Sequence, residues 1–233
     1  MTFASACEYL IKRHTGQDIP VSQLFIYFNG RLLDHGTYTV DDDGATRKKV
    51  VKGIRRFGIC KEEVWPFQRR YLNKKPPDSV YDEAKRTMVT TRQIPLDINA
   101  IRITLAKKLP AIVGIKIQDG VFNEASNNGG HLFIPDPSNV DIAHAPTHAV
   151  LVVGYDDRNQ QFIVRNSWGS HWVTCESVFC MRISSSFFFQ GDQGYFYMPY
   201  DYLLDERLVN YSDGAWIITG IERKAKHHHP HRH

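Results

Sequence analysis

The segment that most narrows what this chain can fold into is Thr147–Tyr155 followed by Phe162–Gly169. Val, Leu, Ile, Phe and Tyr dominate both runs, and Asp156-Asp157-Arg158-Asn159-Gln160 separates them. Apolar runs joined by a short polar turn predict two β-strands. His148 opens the first strand and Asn166 closes the second. Antiparallel pairing would bring those two ends together. A neutral imidazole beside a side-chain amide is the arrangement of a catalytic base and the group that orients it. Each residue has a plainer role as well. A lone His at a strand start is commonly a partly buried structural residue. A lone Asn at a strand end is commonly a turn former. The pair lacks a nucleophile.

The longer phrases His-Ala-Val-Leu-Val-Val-Gly-Tyr from His148 and Asn-Ser-Trp-Gly from Asn166 resemble the papain-like cysteine peptidases. In that family the same phrases carry the catalytic His and Asn. The resemblance implies that His148 is the base and later the acid, and that Asn166 holds the imidazole. It implies that Trp168 covers the Asn–His hydrogen bond from water.

The nucleophile of that family sits at the N-terminus of its long central helix, in the pattern Gly-Ser-Cys, two residues, Phe-Ala. Met1-Thr2-Phe3-Ala4 is similar to the part after the cysteine. The nucleophile is therefore expected immediately before Met1, and the Gln of the oxyanion hole further upstream, both outside this sequence. A helix N-terminus favours a thiolate and later an oxyanion, because it offers free N–H groups and partial positive charge. Phe3, Ala6, Cys7 and Leu10 recur at helical spacing, predicting a helix over residues 1–14 closed by Gly16. Cys7 lies on its apolar face and reads as a core thiol rather than a nucleophile.

With 233 residues, 42% hydrophobic and 23% charged, the chain has the balance of a globular protein of one large domain or two small ones. No apolar run approaches the roughly 20 residues of a membrane span. A net charge of +4 gives no case for nucleic acid. Arg47, Lys48, Lys49, Lys52, Arg55 and Arg56 cluster around Val50, Val51 and Ile54, as on the solvated face of a helix. Of Cys7, Cys60, Cys175 and Cys180, the last two fall in a segment that looks foreign, and the remaining distant pair leans towards a reducing compartment. His131, His144, His148 and His171 match no short metal-ligand spacing. Asn210-Tyr211-Ser212 is a glycosylation sequon, relevant only to a secreted protein.

Val21–Phe28 fits a buried strand or a short helix, and the resemblance favours a helix with Pro20 near its start. A helix capped by Asp43 or Thr46 should run to Phe57. Gly58-Ile59-Cys60 with Trp65-Pro66-Phe67 resembles the family's glycine-cysteine segment and its aromatic-proline pair. Lys74–Pro77 reads as a linker, Asp97–Leu109 as a helix ended by Pro110, and Ala111–Ile117 as a strand. Asn123–Ala145 is a long polar loop that could border a substrate cleft.

Deleting Val173–Gln190 leaves Asn-Ser-Trp-Gly-Ser-His-Trp-Gly-Asp-Gln-Gly-Tyr, which is similar to the family text. Every Val codon begins with GT, Gln can be CAG, and Ser184–Phe189 can be encoded almost wholly by pyrimidines. Residues 173–190 therefore read as a short retained intron, against the alternative of a surface loop. The tail 223–233 is expected to be disordered and His-rich.

The expected fold is α+β: a two-lobe papain-like domain over 1–222, with a helical lobe over about 1–92 and an antiparallel β-barrel-like lobe over about 93–222. The resemblance implies peptide-bond hydrolysis through a thioester acyl-enzyme, acting on a peptide or protein substrate. No metal or cofactor, no nucleic acid and no membrane are expected, and the protein is expected to be a monomer. The rival expectation is a non-catalytic papain-like protein that binds peptides or regulates.

Overall fold

Ser22 shows how locally this chain sets its helices. Its Oγ accepts a hydrogen bond from Phe25 N at 3.1 Å and donates one to Trp65 O at 2.6 Å. The first bond caps helix α2 (Gln23–His35), satisfying one of the free N–H groups at its start. The second ties that start to the loop beyond Cys60. The computed structural model describes residues 1–36, 42, 44–116, 125, 128–136, 145–167 and 194–224. Trp168, Val173–Gln190, Cys175, Cys180, His144, His171 and the tail from residue 225 lie outside the described residues. Contacts divide the chain into two units: Met1, Phe3–Arg92 and Ile218 onward, then Thr2 with Gln93–Ile217.

In the first unit, helix α1 (Thr2–Thr15) buries Phe3, Ala6, Cys7 and Leu10, as their spacing predicts. Gly16 ends it at φ 72°, and its N–H donates to Lys12 O at 2.8 Å. The ambiguous stretch from Val21 leads into the helix α2, capped by Ser22, with Pro20 near its start as expected. Helix α3 (Arg47–Phe57) packs on α2 through glycines. A Cβ on Gly30 would lie 2.8 Å from Val50 Cγ2, and one on Gly53 would lie 3.4 Å from the Asn29 backbone. Arg47 does not join the solvated basic face expected of it and is only 6% exposed. It begins the stripe Arg47, Val50, Val51, Ile54 that helical spacing turns inward. Helix α4 (Asp78–Ala84) contributes Val80, Tyr81 and Ala84 to a cluster with Leu24, Phe25, Cys60 and Trp65.

In the second unit, helix α5 (Ile98–Ala106) is capped by Asp97, which accepts from Ala100 N at 2.8 Å. It stops three residues short of the predicted Leu109. Lys108 takes φ 58°, and Leu109 N turns back to Thr104 O at 2.9 Å, so the chain leaves the helix before Pro110 is reached.

The strands are β1 (Thr87–Ile94), β2 (Ala111–Lys116), β3 (Thr147–Asp156), β4 (Gln161–Arg165), β5 (Tyr195–Pro199) and β6 (Ala215–Arg223). Their hydrogen-bonded order is β1-β6-β2-β3-β4-β5, and β2–β3, β2–β6, β3–β4 and β4–β5 pair antiparallel. β2 lies between two strands and is apolar on both faces, with Ala111, Ile112, Val113 and Ile115 fully buried. One core cluster joins Val113, Val150, Val152, Phe162, Val164 and Phe196 with Ile101 and Leu105 of α5. Helices and an antiparallel sheet together make an α+β fold, as expected from the sequence.

Candidate active site

The turn Asp156–Gln160 is held by its own side chains. Asp156 Oδ1 accepts from Arg158 N at 3.0 Å and Asn159 N at 3.3 Å, and Gln160 closes the turn at φ 52°. From there Asp156 faces Gln161, Tyr155 faces Phe162 and Gly154 faces Ile163. The ladder then skips Val153, so that Val152 faces Val164 and Leu151 faces Arg165. This is a β-bulge, one extra residue on β3.

The bulge decides which side chains share a face. Continuing the shifted register one step sets Asn166 opposite Val150. His148 lies two residues from Val150, on the same face, and is therefore a diagonal neighbour of Asn166. A regular ladder from Tyr155 and Phe162 would set Asn166 opposite Leu151. His148, three residues from Leu151, would then point to the other side of the sheet.

The two side chains meet. His148 Nε2 lies 3.0 Å from Asn166 Oδ1. The same oxygen accepts the backbone N–H of Ser167 at 2.7 Å. The Ser167 donor fixes which end of the Asn166 amide is oxygen, since the amide nitrogen would set two donors against each other. His148 Nε2 must then be the protonated nitrogen. In the neutral ring this leaves Nδ1 as the basic one. Asn166 is itself anchored, its N–H donating to Gly194 O at 2.9 Å. Both the Ser167 donor and the Gly194 acceptor are backbone groups, which no side-chain pattern announces. The Val153 bulge was equally invisible.

His148 is partly buried between Ile115, its partner on β2, and the β4 side. Burial holds its pKa below the ordinary 6.5, and the Asn166 hydrogen bond opposes that shift. The resting ring is therefore neutral at physiological pH and able to accept a proton. Thr2, which groups with this unit, donates its hydroxyl to Ala149 O at 2.7 Å, next to His148 in the chain.

The two described thiols are unsuited to attack. Cys7 and Cys60 are both free and buried. Burial pushes each up to about 12. A thiol so far above neutrality carries almost no thiolate. The expected Trp168 lies outside the described residues. His131 stacks on Tyr197 with ring centres 4.7 Å apart. Among the described residues no three His, Cys, Asp or Glu side chains gather as metal ligands would, and no helix is long and apolar enough to cross a membrane.

A sequence model described as papain family cysteine protease matches residues 29–185. The chain belongs to the papain family of cysteine proteases. An uncharacterized peptidase C1-like protein of Acanthamoeba polyphaga mimivirus is 30% identical over 221 residues, which cover 91% of this chain and 62% of that relative. This papain-family chain thus spans less than two thirds of the curated relative's length. Xylellain, a cysteine protease from Xylella fastidiosa, superposes with a TM-score of 0.72 at 26% identity, over 94% of this chain and 77% of its own. A cysteine protease of Carica candamarcensis, solved in complex with E-64, gives 0.53 at 18% identity, over 95% and 86%. That last likeness speaks of fold alone. Together they identify the α+β architecture as papain-like, in a family whose members act on peptide or protein substrates.

Proposed function

We propose that this chain is the catalytic body of a cysteine-type peptidase, with His148 as general base and acid, Asn166 as its orienter and a cysteine immediately before Met1 as nucleophile. The observation that carries the reading is the His148–Asn166 contact at 3.0 Å, with the amide oxygen fixed by Ser167. It leaves the basic nitrogen of His148 on the side away from Asn166, where a thiol proton would have to arrive. The buried states of Cys7 and Cys60 support a nucleophile from elsewhere. The hydrogen bond from Thr2 to Ala149 O supports its position, two residues before Thr2.

In the proposed reaction the thiol gives its proton to His148, and the thiolate attacks the substrate carbonyl carbon. The tetrahedral intermediate collapses, and the leaving amine takes the proton back from the imidazolium. Water, deprotonated by His148, then attacks the thioester and releases the acid and the thiol. Trp168 would shield the Asn166–His148 bond from water. The protein would work as a monomer, without metal or cofactor.

The second reading is a non-catalytic peptide-binding or regulatory protein, a papain-like chain that has lost its nucleophile; the buried Cys7 and Cys60 are compatible with both readings. The codon before that of Met1 separates the two readings. A Cys codon there, in frame or across a splice site, supports the peptidase, and another residue supports the binder. The direct test compares two chains without Val173–Gln190, one beginning at Met1 and one carrying the upstream codons. Once both are shown folded by circular dichroism, casein cleavage blocked by an alkylating agent should appear only in the longer one. Loss of the nucleophile in comparable hydrolase triads costs on the order of a million-fold in rate. Equal thiol-dependent activity from the Met1 chain would overturn the assignment.

A further inference from the structure

A cavity of about 210 Å³ lies wholly among residues of the first unit. Much of its wall is apolar, from Ile11 of α1, Ile19 and Val21 beyond it, Ile59 and Cys60 after α3, and Ile221 of β6, and His14, Thr15, Gln17 and Thr87 also line it. None of these residues takes part in the His148–Asn166 arrangement. An apolar cavity of about 150 Å³ stays dry and takes up benzene. This one is larger, with room for a hydrocarbon body of roughly six to eight carbons.

The charged lining residues give the ligand its head group. Lys61 and Arg223 line the cavity, and Glu83 lies between charges. Glu83 faces two guanidinium groups, Arg86 Nη1 at 3.5 Å and Arg223 Nη2 at 3.4 Å. One carboxylate therefore serves two cations. Lys61 Nζ pairs with Glu63 at 3.1 Å, but that carboxylate is 72% exposed. Such surface pairs are weak and readily exchanged. A carboxylate arriving at the mouth can take Lys61 and Arg223 in exchange for these pairs.

We propose that this cavity is a binding site for a small apolar carboxylate, its hydrocarbon body among the isoleucines and its head group on Lys61 and Arg223. The site is independent of the peptidase reading and would exist in a chain with or without the nucleophile.

The test uses the full 233-residue chain with 13C-labelled Ile δ1-methyl groups, titrated with butanoate, hexanoate and 1-hexanol. Hexanoate should give saturable shifts confined to Ile11, Ile19, Ile59 and Ile221. Each methylene buried between butanoate and hexanoate should tighten binding about fourfold. Hexanol should bind about tenfold more weakly than hexanoate, for want of the charge-assisted bonds. Lys61→Gln with Arg223→Gln, both surface changes, should bring hexanoate down to hexanol and leave hexanol unchanged. Ile11→Trp, which fills the cavity, should abolish both. The proposal is overturned if hexanoate gives no saturable shift, if hexanol binds as well, or if Ile112 and Ile217 of the second unit shift as much. It is overturned equally if the double charge variant keeps full hexanoate affinity. Should Ile11→Trp fail to fold, the charge variant and the alcohol comparison decide.

Discussion

His148 and Asn166 lie 3.0 Å apart because the β3–β4 ladder leaves Val153 unpaired between the turn and the site. Pairing Val153 would move every later β3 residue by one step, and setting it aside keeps both side chains on one face of the sheet.

Deleting Val153 should therefore preserve the contact. The pairs Val152↔Val164 and Gly154↔Ile163 would become consecutive, and nothing upstream would change face. The expected cost is roughly 1–2 kcal/mol of stability. Deleting Val150 instead shifts His148 by one position relative to Asn166 and sends it to the opposite side. The measurement is the His148 ring titration by NMR in both variants. It should be conserved without Val153 and move without Val150. The idea fails if both deletions behave alike while both proteins remain folded.

The pH dependence of stability has a predictable sign at His148. Burial holds its folded pKa below the ordinary 6.5. Above that value neither state is protonated, and the group contributes no slope. As pH falls through 6.5 the unfolded chain takes up a proton that the folded chain refuses, so stability drops. The loss proceeds at up to about 1.4 kcal/mol per pH unit and levels off below the folded pKa. His148→Gln should flatten that part of the profile, measured as urea midpoints between pH 8 and pH 5. Asn166→Ala should push the folded pKa lower still, because the hydrogen bond it removes raises it.

Gly58 is the glycine this fold can least replace. Its φ is +74°, and an added Cβ would lie 2.1 Å from Ala84 O, a backbone atom that cannot step aside. Gly58→Ala should cost about 3 kcal/mol or more, from left-handed strain together with overpacking. Gly30→Ala is the informative contrast. Its Cβ would meet a side-chain methyl, Val50 Cγ2, at 2.8 Å. Val50→Ala should rescue it in part, with a coupling of about 1 kcal/mol, whereas no side-chain change should rescue Gly58→Ala. Denaturant unfolding of the four variants checks this.

Much of the fold could be read from the sequence wherever the signal was local. Helical spacing marked the buried face of α1, Gly16 closed it, and Asp97 capped α5. The apolar runs and the polar turn marked β3 and β4. What escaped depended on tertiary partners. β1 was not read as a strand, because Thr87–Ile94 mixes Thr, Arg and Gln with few apolar residues. Its burial alternates only in part. The early end of α5 follows from a left-handed Lys108, a conformation that Lys does not advertise. At the site, the pairing of His148 with Asn166 was legible from the phrases around them. The means of holding it was not, since it rests on a bulge, a backbone N–H at Ser167 and a carbonyl at Gly194.

That Gly194 carbonyl also bears on Val173–Gln190. Asn166 N donates to Gly194 O at 2.9 Å, and Arg165 pairs with Tyr195 across β4 and β5. The chain therefore leaves β4 and re-enters β5 at adjacent points of one antiparallel ladder. Any loop long enough to turn can join them, and residues 168–172 with 191–193 suffice for that. If Val173–Gln190 is a retained intron, as we propose, its removal should leave the ladder intact. Shortening the connection between Ser167 and Gly194 to about a third of its length should return about 1 kcal/mol of closure entropy. The deletion variant should then unfold at equal or slightly higher urea concentration, with the His148 titration unchanged. A loss of more than about 2 kcal/mol would mean that the segment contributes real packing. Sequencing the cDNA supplies the independent measurement: transcripts that retain these codons throughout would sink the intron.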